Sequence, residues 1–254
     1  MATVAKPTIY VVTGGNRGIG LGLVKGLLSR PSTTVIATVR NNASAVSLKQ
    51  DISATVKIGD QSNLEIVELE LTTAPSAGKV EEIFSGLGYD HIDVLVNNAG
   101  VSPPMYTAAQ TPAEDLRVAF EVNTIAPLMV FQGLWPLLQR SARPKVIMMS
   151  SSVGCITFQE LSGGSYGPSK AALNWITRAL HLQNEEAGLV AVALHPGWVQ
   201  TRMGKKSAKD WEYPHPPPET VDNSVKGVLE VIDGATRDTV SGKFVTYQGQ
   251  VLPW

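Results

Sequence analysis

Along the chain, short apolar runs alternate with longer segments whose apolar residues recur at helical spacing. The runs at 8–13 (TIYVVT), 34–39 (TVIATV), 65–71 (EIVELEL), 92–98 (IDVLVNN), 145–151 (KVIMMSS), 189–196 (LVAVALHP) and 242–247 (GKFVTY) read as strands. The segments 19–30, 77–87, 112–140, 168–186 and 220–233 read as helices. Strands that are apolar almost throughout have both faces covered, and strands separated by helices run parallel. The pattern therefore predicts an α/β fold, a single doubly wound domain spanning residues 1–254, with a seven-stranded parallel sheet flanked by helices. No internal repeat or low-complexity linker interrupts it. Residues 201–219 (TRMGKKSAKDWEYPHPPPE) read as a long loop rich in Pro and charge, and a loop of that length in a compact domain often serves as a lid.

Two stretches carry chemistry. Between the first strand and the first helix stands Thr13-Gly14-Gly15-Asn16-Arg17-Gly18-Ile19-Gly20. Its glycines allow a tight turn and close backbone approach, and the free N–H groups of the following helix can hold a pyrophosphate. The second stretch is Ser165 to Asn174 (SYGPSKAALN), where Tyr166 and Lys170 stand four residues apart at the start of a helix. Such a pair shares one helix face, and an ammonium beside a phenol favours the phenolate. By itself the spacing also fits an ordinary solvated helix.

Composition narrows the choices. A hydrophobic share of 43% over 254 residues is enough for one large core. The net charge is −1, and Lys205, Lys206 and Lys209 form the densest basic group, so no nucleic-acid partner is expected. A single cysteine, Cys155, excludes an intramolecular disulfide framework and a multi-cysteine metal site, and no metal is expected. The first residues, MATVA, lack a secretory apolar region. No window approaches the ~18 apolar residues of a membrane span, so no membrane association and a cytoplasmic location are expected.

The order of motifs resembles the short-chain dehydrogenase/reductase family. The Thr-Gly-x-x-x-Gly-Ile-Gly turn at 13–20, Asn97-Asn98-Ala99-Gly100 ending the fourth strand, Asn123 in FEVNTIAP, Tyr166-x-x-x-Lys170 and Pro196-Gly197-x-Val199-x-Thr201 follow one another as in that family. The segments SGKFVTYQGQVLPW and RNNASAVSL are similar to fungal ketoreductases of polyketide pathways, of the norsolorinic acid ketoreductase kind. The span from DVLVNNAG to HPGWVQT looks like the carbonyl-reductase-like branch. The resemblance implies a Rossmann fold, an oxidoreductase acting on CH–OH and C=O groups, and a nicotinamide cofactor.

At the end of the second strand the sequence has Val39-Arg40-Asn41 with no acid to hold a ribose 2′-hydroxyl. Arg40, with Arg17 beside it, instead suits a 2′-phosphate, which points to NADP(H). The resemblance places Gly14, Asn16, Arg17, Gly18, Ile19, Gly20, Arg40, Leu71, Asn98, Ala99, Gly100, Tyr166, Lys170, Pro196, Gly197, Val199 and Thr201 along that cofactor. Glu70 stands where the family often has Asp.

Tyr166 is then the expected proton donor, with Lys170 depressing its pKa and binding cofactor ribose hydroxyls. Asn123 is expected to hold a proton-relaying water, or to accommodate a bend in its helix. The substrate-orienting serine is Ser151 when Ser-Ser-x-x-Gly is aligned on Gly154, with extra residues then inserted in TFQELSGG; Ser152 is next, and Ser150 is the third candidate.

Pro103, Pro104, Met105, Phe158, Leu161, Trp198, Met203, Trp211 and Tyr213 suit a bulky, aromatic carbonyl substrate. Arg202 stands where relatives often have Asp. The family implies a homodimer or homotetramer, for which Leu134, Trp135 and Trp175 are candidate contacts. The leading expectation is an NADPH-dependent ketoreductase of secondary metabolism. The alternatives are a cofactor-binding sensor and a cyclase that uses bound NADP without net redox turnover.

Overall fold

The computed structural model describes residues 6–158 and 161–254. The MATVA stretch, and Gln159 and Glu160 of the inserted TFQELSGG, lie outside the described residues. The strands are β1 (Thr8–Val12), β2 (Thr33–Val39), β3 (Asn63–Glu68), β4 (Val94–Asn97), β5 (Lys145–Met149), β6 (Val190–His195), β7 (Phe244–Thr246) and β8 (Val251–Leu252). They form one sheet in the order β3-β2-β1-β4-β5-β6-β7-β8. All pairings are parallel except β7 with β8, a two-residue antiparallel edge added to the seven parallel strands read from the sequence.

Strand alternation sorts the core into two layers. Tyr10 and Val12 of β1 face α1 (Gly18–Leu28), α2 (Asn42–Thr55) and α8 (Val221–Gly234), packing against Leu23, Leu27, Leu48 and Val228. Ile9 and Val11 face the other layer of α3 (Ala77–Ser85), α4 (Ala113–Phe120), α5 (Ala126–Leu138) and α6 (Tyr166–Gln183), among Val80, Phe84, Val130 and Leu173. A period of two on strands buried on both faces explains why the apolar runs look unbroken.

Several local readings change. The third strand is shifted toward the N-terminus, because Glu70 folds back to accept the N–H groups of Leu71 and Thr72 at 2.8 Å each and turns the chain out of the sheet. The helix α2 has no counterpart in the sequence reading; it buries only Ala45, Leu48 and Ile52, and Asn41 caps it by accepting the Ser44 N–H at 3.0 Å. The long helix 112–140 is broken by one turn of π-helix at Glu121–Ile125. Residues 201–219 are not loop throughout, since α7 (Arg202–Asp210) occupies their first half.

The stretch Ala113–Leu138 is also long and apolar enough, by length and composition, to cross a membrane, which corrects the reading that no segment approaches that test. Its apolar residues are committed elsewhere: Val130, Phe131, Leu134 and Leu138 are in the core layer under the sheet. Leu134 is fully buried and serves the core, while Trp135 packs against Phe131 with ring centroids 5.1 Å apart and stays partly exposed. Trp175 is 72% exposed.

Helices α3 and α5 of this layer meet at Gly133, where an added Cβ would lie 2.5 Å from the Ala77 carbonyl oxygen and 2.6 Å from Val80 Cβ. Gly133→Ala is therefore expected to cost about 2 kcal/mol by forcing α5 off α3. Gly78→Ala, whose Cβ would meet nothing within 4 Å, is expected to be neutral or to gain up to ~1 kcal/mol. Urea denaturation of the two variants checks the contrast; equal stabilities would remove the packing argument.

Candidate active site

The C-terminal ends of the parallel strands open onto a cleft of about 670 Å³. Such a crevice, outside the carboxyl ends of strands where their order reverses between β1 and β4, is where doubly wound sheets bind ligands. Its floor is the turn from β1 to α1. Gly14 and Gly18 adopt φ of +66° and +54°, a region side chains rarely enter. A Cβ on Gly20 would clash with the Gly14 carbonyl, so the backbone is folded closely on itself there. Thr13 Oγ1 accepts the N–H groups of Asn98 and Ala99 at 3.0 Å each, and Asn98 Nδ2 donates to the Thr13 carbonyl at 2.8 Å. The side chain of Asn98 thus ties the turn to the end of β4.

The structure brings most of the sequence-derived residues to this cleft. Gly14, Asn16, Arg17, Gly18, Ile19 and Gly20 line it from the turn, Arg40 from the end of β2, and Leu71 from beyond β3. Asn98, Ala99 and Gly100 line it from β4, Tyr166 and Lys170 from α6, and Pro196 and Thr201 from beyond β6. Gly197 and Val199 do not line it; Val199 is buried behind and bridges to Glu219. Glu70 does line the cleft, but its carboxylate is turned to its own backbone and held below its usual range chiefly by those N–H donors.

Positive charge collects at one end. Arg17 and Arg40 are exposed, and the Arg17 guanidinium is held below its ordinary pKa by partial burial and by the like charges of Arg202 and Arg40. Arg202, Met203 and Lys206 of α7 line the same cleft. The sequence reading assigned the cofactor none of these three, because their place depends on a helix that folds back over the turn. Glycines closely fitted to the backbone and like charges facing a common space suit a dinucleotide: the turn would take its pyrophosphate, and Arg17 and Arg40 an additional phosphate.

At the other end, burial governs the titratable groups. Lys170 is buried on α6, donates to the Met149 carbonyl at 2.7 Å, and is lowered to about 7 by desolvation. Tyr166, 5.6 Å from ring centroid to that ammonium, is pushed up to about 12 by desolvation, against a hydrogen bond with Ser151 that pulls the other way. The expected net lowering of the tyrosine does not occur in the protein alone, because the cost of burying a phenolate outweighs its partners.

The three serines separate by their contacts. Ser151 also accepts the Val153 N–H at 3.2 Å, while Ser150 Oγ donates to Asn174 Oδ1 at 2.5 Å, and Ser152 opens a 3₁₀ turn (Ser152–Gly154). Asn123 does not line the cleft. Its Oδ1 accepts the Val101 N–H at 2.9 Å, and its Nδ2 donates to the Val101 carbonyl at 2.9 Å and to Ser169 Oγ at 3.0 Å. The amide protons are thus both given to Val101 and Ser169, outside the π turn in which Asn123 sits.

Residues 8–212 match the short chain dehydrogenase family, and the chain belongs to it. Over 98% of its length it is 37% identical to the short-chain dehydrogenase RED3 of Pyricularia oryzae, all of which is covered. It is 35% identical to the norsolorinic acid ketoreductase of Aspergillus parasiticus, over 97% of this chain and 91% of that one. The NADPH-bound carbonyl reductase from chicken fatty liver has the same fold, with a TM-score of 0.82 and 32% identity over 98% of this chain and 100% of that one. The protein is thus an oxidoreductase of a family that uses NAD(P) and acts on small molecules.

One half-buried group at the end of β6, beside the serine loop, gives a pH prediction. His195 Nδ1 accepts the Ser152 N–H at 3.2 Å, and burial pushes its pKa from 6.5 to about 4. The folded state holds the neutral ring, so this contribution is complete above pH 6.5 and is lost as pH falls toward 4. The loss should reach on the order of 2 kcal/mol near pH 4.5. His195→Asn should lose that much less stability than the parent between pH 7 and pH 4.5 in urea titrations; parallel losses would refute it.

Proposed function

We propose that this chain is an NADPH-dependent ketoreductase acting on a bulky, aromatic or polyketide-type ketone of secondary metabolism. The observation that carries the reading is the placement of Tyr166 and Lys170 on the same cleft as Arg17 and Arg40, whose guanidinium groups make no hydrogen bond or salt bridge among the described residues. The bound cofactor would supply hydride to the carbonyl carbon of the substrate, or accept it in the reverse direction. Tyr166 Oη delivers the proton to the carbonyl oxygen, and its raised pKa keeps that proton in place at neutral pH until it is needed. Ser151 Oγ donates a hydrogen bond to the same oxygen and fixes its position against the phenol. Lys170, lowered to about 7, exchanges a proton near neutrality and, when charged, favours the phenolate left after transfer. Asn123 positions this pair through Ser169, whose hydroxyl donates to the Tyr166 carbonyl at 2.7 Å.

The substrate side supports a large apolar ligand. Trp198 packs edge-on against Trp211 with centroids 5.3 Å apart and against Tyr213 at 4.7 Å, and Trp211 Nε1 donates to the Ser162 carbonyl at 2.9 Å. We assign α7 and the residues after it, to 219, as the lid over that side. Leu161 and Tyr106, adjacent to the Ser162 and Met105 that Trp211 and Asp210 bind, are substantially exposed, as is Phe158, a costly arrangement unless a ligand covers them. We also carry forward assembly as a homodimer or homotetramer, with exposed Trp175 on α6 as the contact that supports it.

With NADPH and a panel of bulky aromatic ketones, Tyr166→Phe should lower kcat by roughly 10²–10⁴-fold while leaving NADPH binding nearly unchanged. Arg40→Ala should weaken NADPH at least about tenfold and leave NADH unaffected. Tight NADPH binding by the parent without turnover of any ketone would shift the assignment to a cofactor-binding sensor or a cyclase.

A further inference from the structure

Two cations of α7 that line the cleft, Arg202 and Lys206, remain after Arg17 and Arg40 are given to a 2′-phosphate. Arg202 is exposed on the first turn of α7, lines the cleft, and makes no salt bridge or hydrogen bond among the described residues. Its neighbour Thr201 presses on the floor of the cleft: a Cβ on Gly18 would lie 3.3 Å from Thr201 Cγ2. Arg202 therefore begins a helix that enters from beyond β6 and meets the start of α1. In a doubly wound sheet that is the place of the pyrophosphate, midway between the adenosine side at β2 and the reactive side at α6. The like-charge effect of Arg202 on Arg17 agrees with this placement.

The other end of α7 is fastened to the substrate side. Asp210 Oδ2 accepts the Met105 N–H at 3.2 Å and pairs with Lys206 at 2.9 Å. Met105 belongs to the segment that follows β4, and the adjacent Trp211 is bonded to Ser162 in the segment before Tyr166. One nine-residue helix thus touches the cofactor floor with its first turn and both substrate-side segments with its last.

We propose that Arg202 binds the pyrophosphate of the dinucleotide and so ties closure of α7 over the substrate side to occupation of the cofactor site. This rests on the dinucleotide reading of the cleft. An unpaired guanidinium opposite the turn would form charge-assisted hydrogen bonds to phosphate oxygens, and those bonds would hold the first turn of α7 down. A carboxylate in its place would repel the same group.

Two fragments separate the phosphates. ADP-ribose carries the pyrophosphate without a 2′-phosphate, and adenosine 2′,5′-bisphosphate carries the 2′-phosphate without a pyrophosphate. By calorimetry on the full chain, Arg202→Gln should weaken ADP-ribose roughly tenfold and change the bisphosphate less than about twofold, with Arg202→Lys in between. Arg40→Ala should do the reverse. Saturating ADP-ribose should also slow tryptic cutting after Lys205, Lys206 and Lys209 severalfold in the parent but not in Arg202→Gln. Because Arg202 is exposed, matched thermal unfolding of the variants is expected and confirms that they are folded. Unchanged ADP-ribose affinity, a loss confined to the bisphosphate, or full protease protection in the variant each overturns the proposal. A parent that binds neither fragment overturns the dinucleotide reading itself.

Discussion

One buried carboxamide organises the reactive end of this protein. Asn123 sits at the centre of the π turn that joins α4 to α5, and its amide holds both the N–H and the carbonyl of Val101, at the exit of β4. The same amide donates to Ser169, which donates to the carbonyl of Tyr166, while Thr124 Oγ1 donates to the Ser169 carbonyl at 2.8 Å. Three elements are locked together by direct hydrogen bonds. Leaving such groups unpaired would cost about 1–3 kcal/mol each, so the site's geometry depends on that one side chain staying in place. The π turn is what makes this possible, since its extra residue per turn carries Asn123 out of helical register and toward β4 and α6.

Burial then sets the electrostatics of the two ends differently. At Tyr166 and Lys170 desolvation drives both groups toward their neutral forms, with Ser151 pulling the phenol the other way. Around Arg17, Arg40 and Arg202 the groups stay near solvent and charged, and they repel one another across open space. An anion entering that space would relieve the repulsion, whereas a proton moving at the other end would do so where desolvation makes a single hydrogen bond weigh heavily. On the proposed reading, cofactor binding and proton transfer fall at opposite ends of one cleft.

How much of this is legible in the sequence follows from what each feature needs. Strands buried on both faces announce themselves as unbroken apolar runs, so the seven parallel strands are readable, while β8 is two residues long and has no pattern to read. The helix α2 is hidden because only Ala45, Leu48 and Ile52 are apolar and buried on it, yet Asn41 followed by that spacing is a cap-and-stripe signal a closer reading would catch. A π turn of five residues differs too little from 3.6 periodicity to be seen. In the site, the glycine turn, Asn98, Tyr166 and Lys170 are contiguous motifs and stand out. Arg202, Met203 and Lys206 reach the cleft only because α7 folds back upon it, a tertiary fact that their polar surroundings conceal.

The position of α7 is fixed more firmly than a loop of its composition suggests. A Cβ on Gly204 would clash with the Val199 carbonyl, so the first turn of the helix lies against the chain leaving β6. Trp198 Nε1 donates to the Gly204 carbonyl at 3.1 Å, and its ring is covered by Trp211 and Tyr213 from the far end of the same helix. The helix is therefore braced at both ends by aromatic side chains, whose rings meet at 4.7–5.3 Å, rather than by the strands below. The sheet supplies a rigid floor, and variation in what is bound has to come from the segments that roof it.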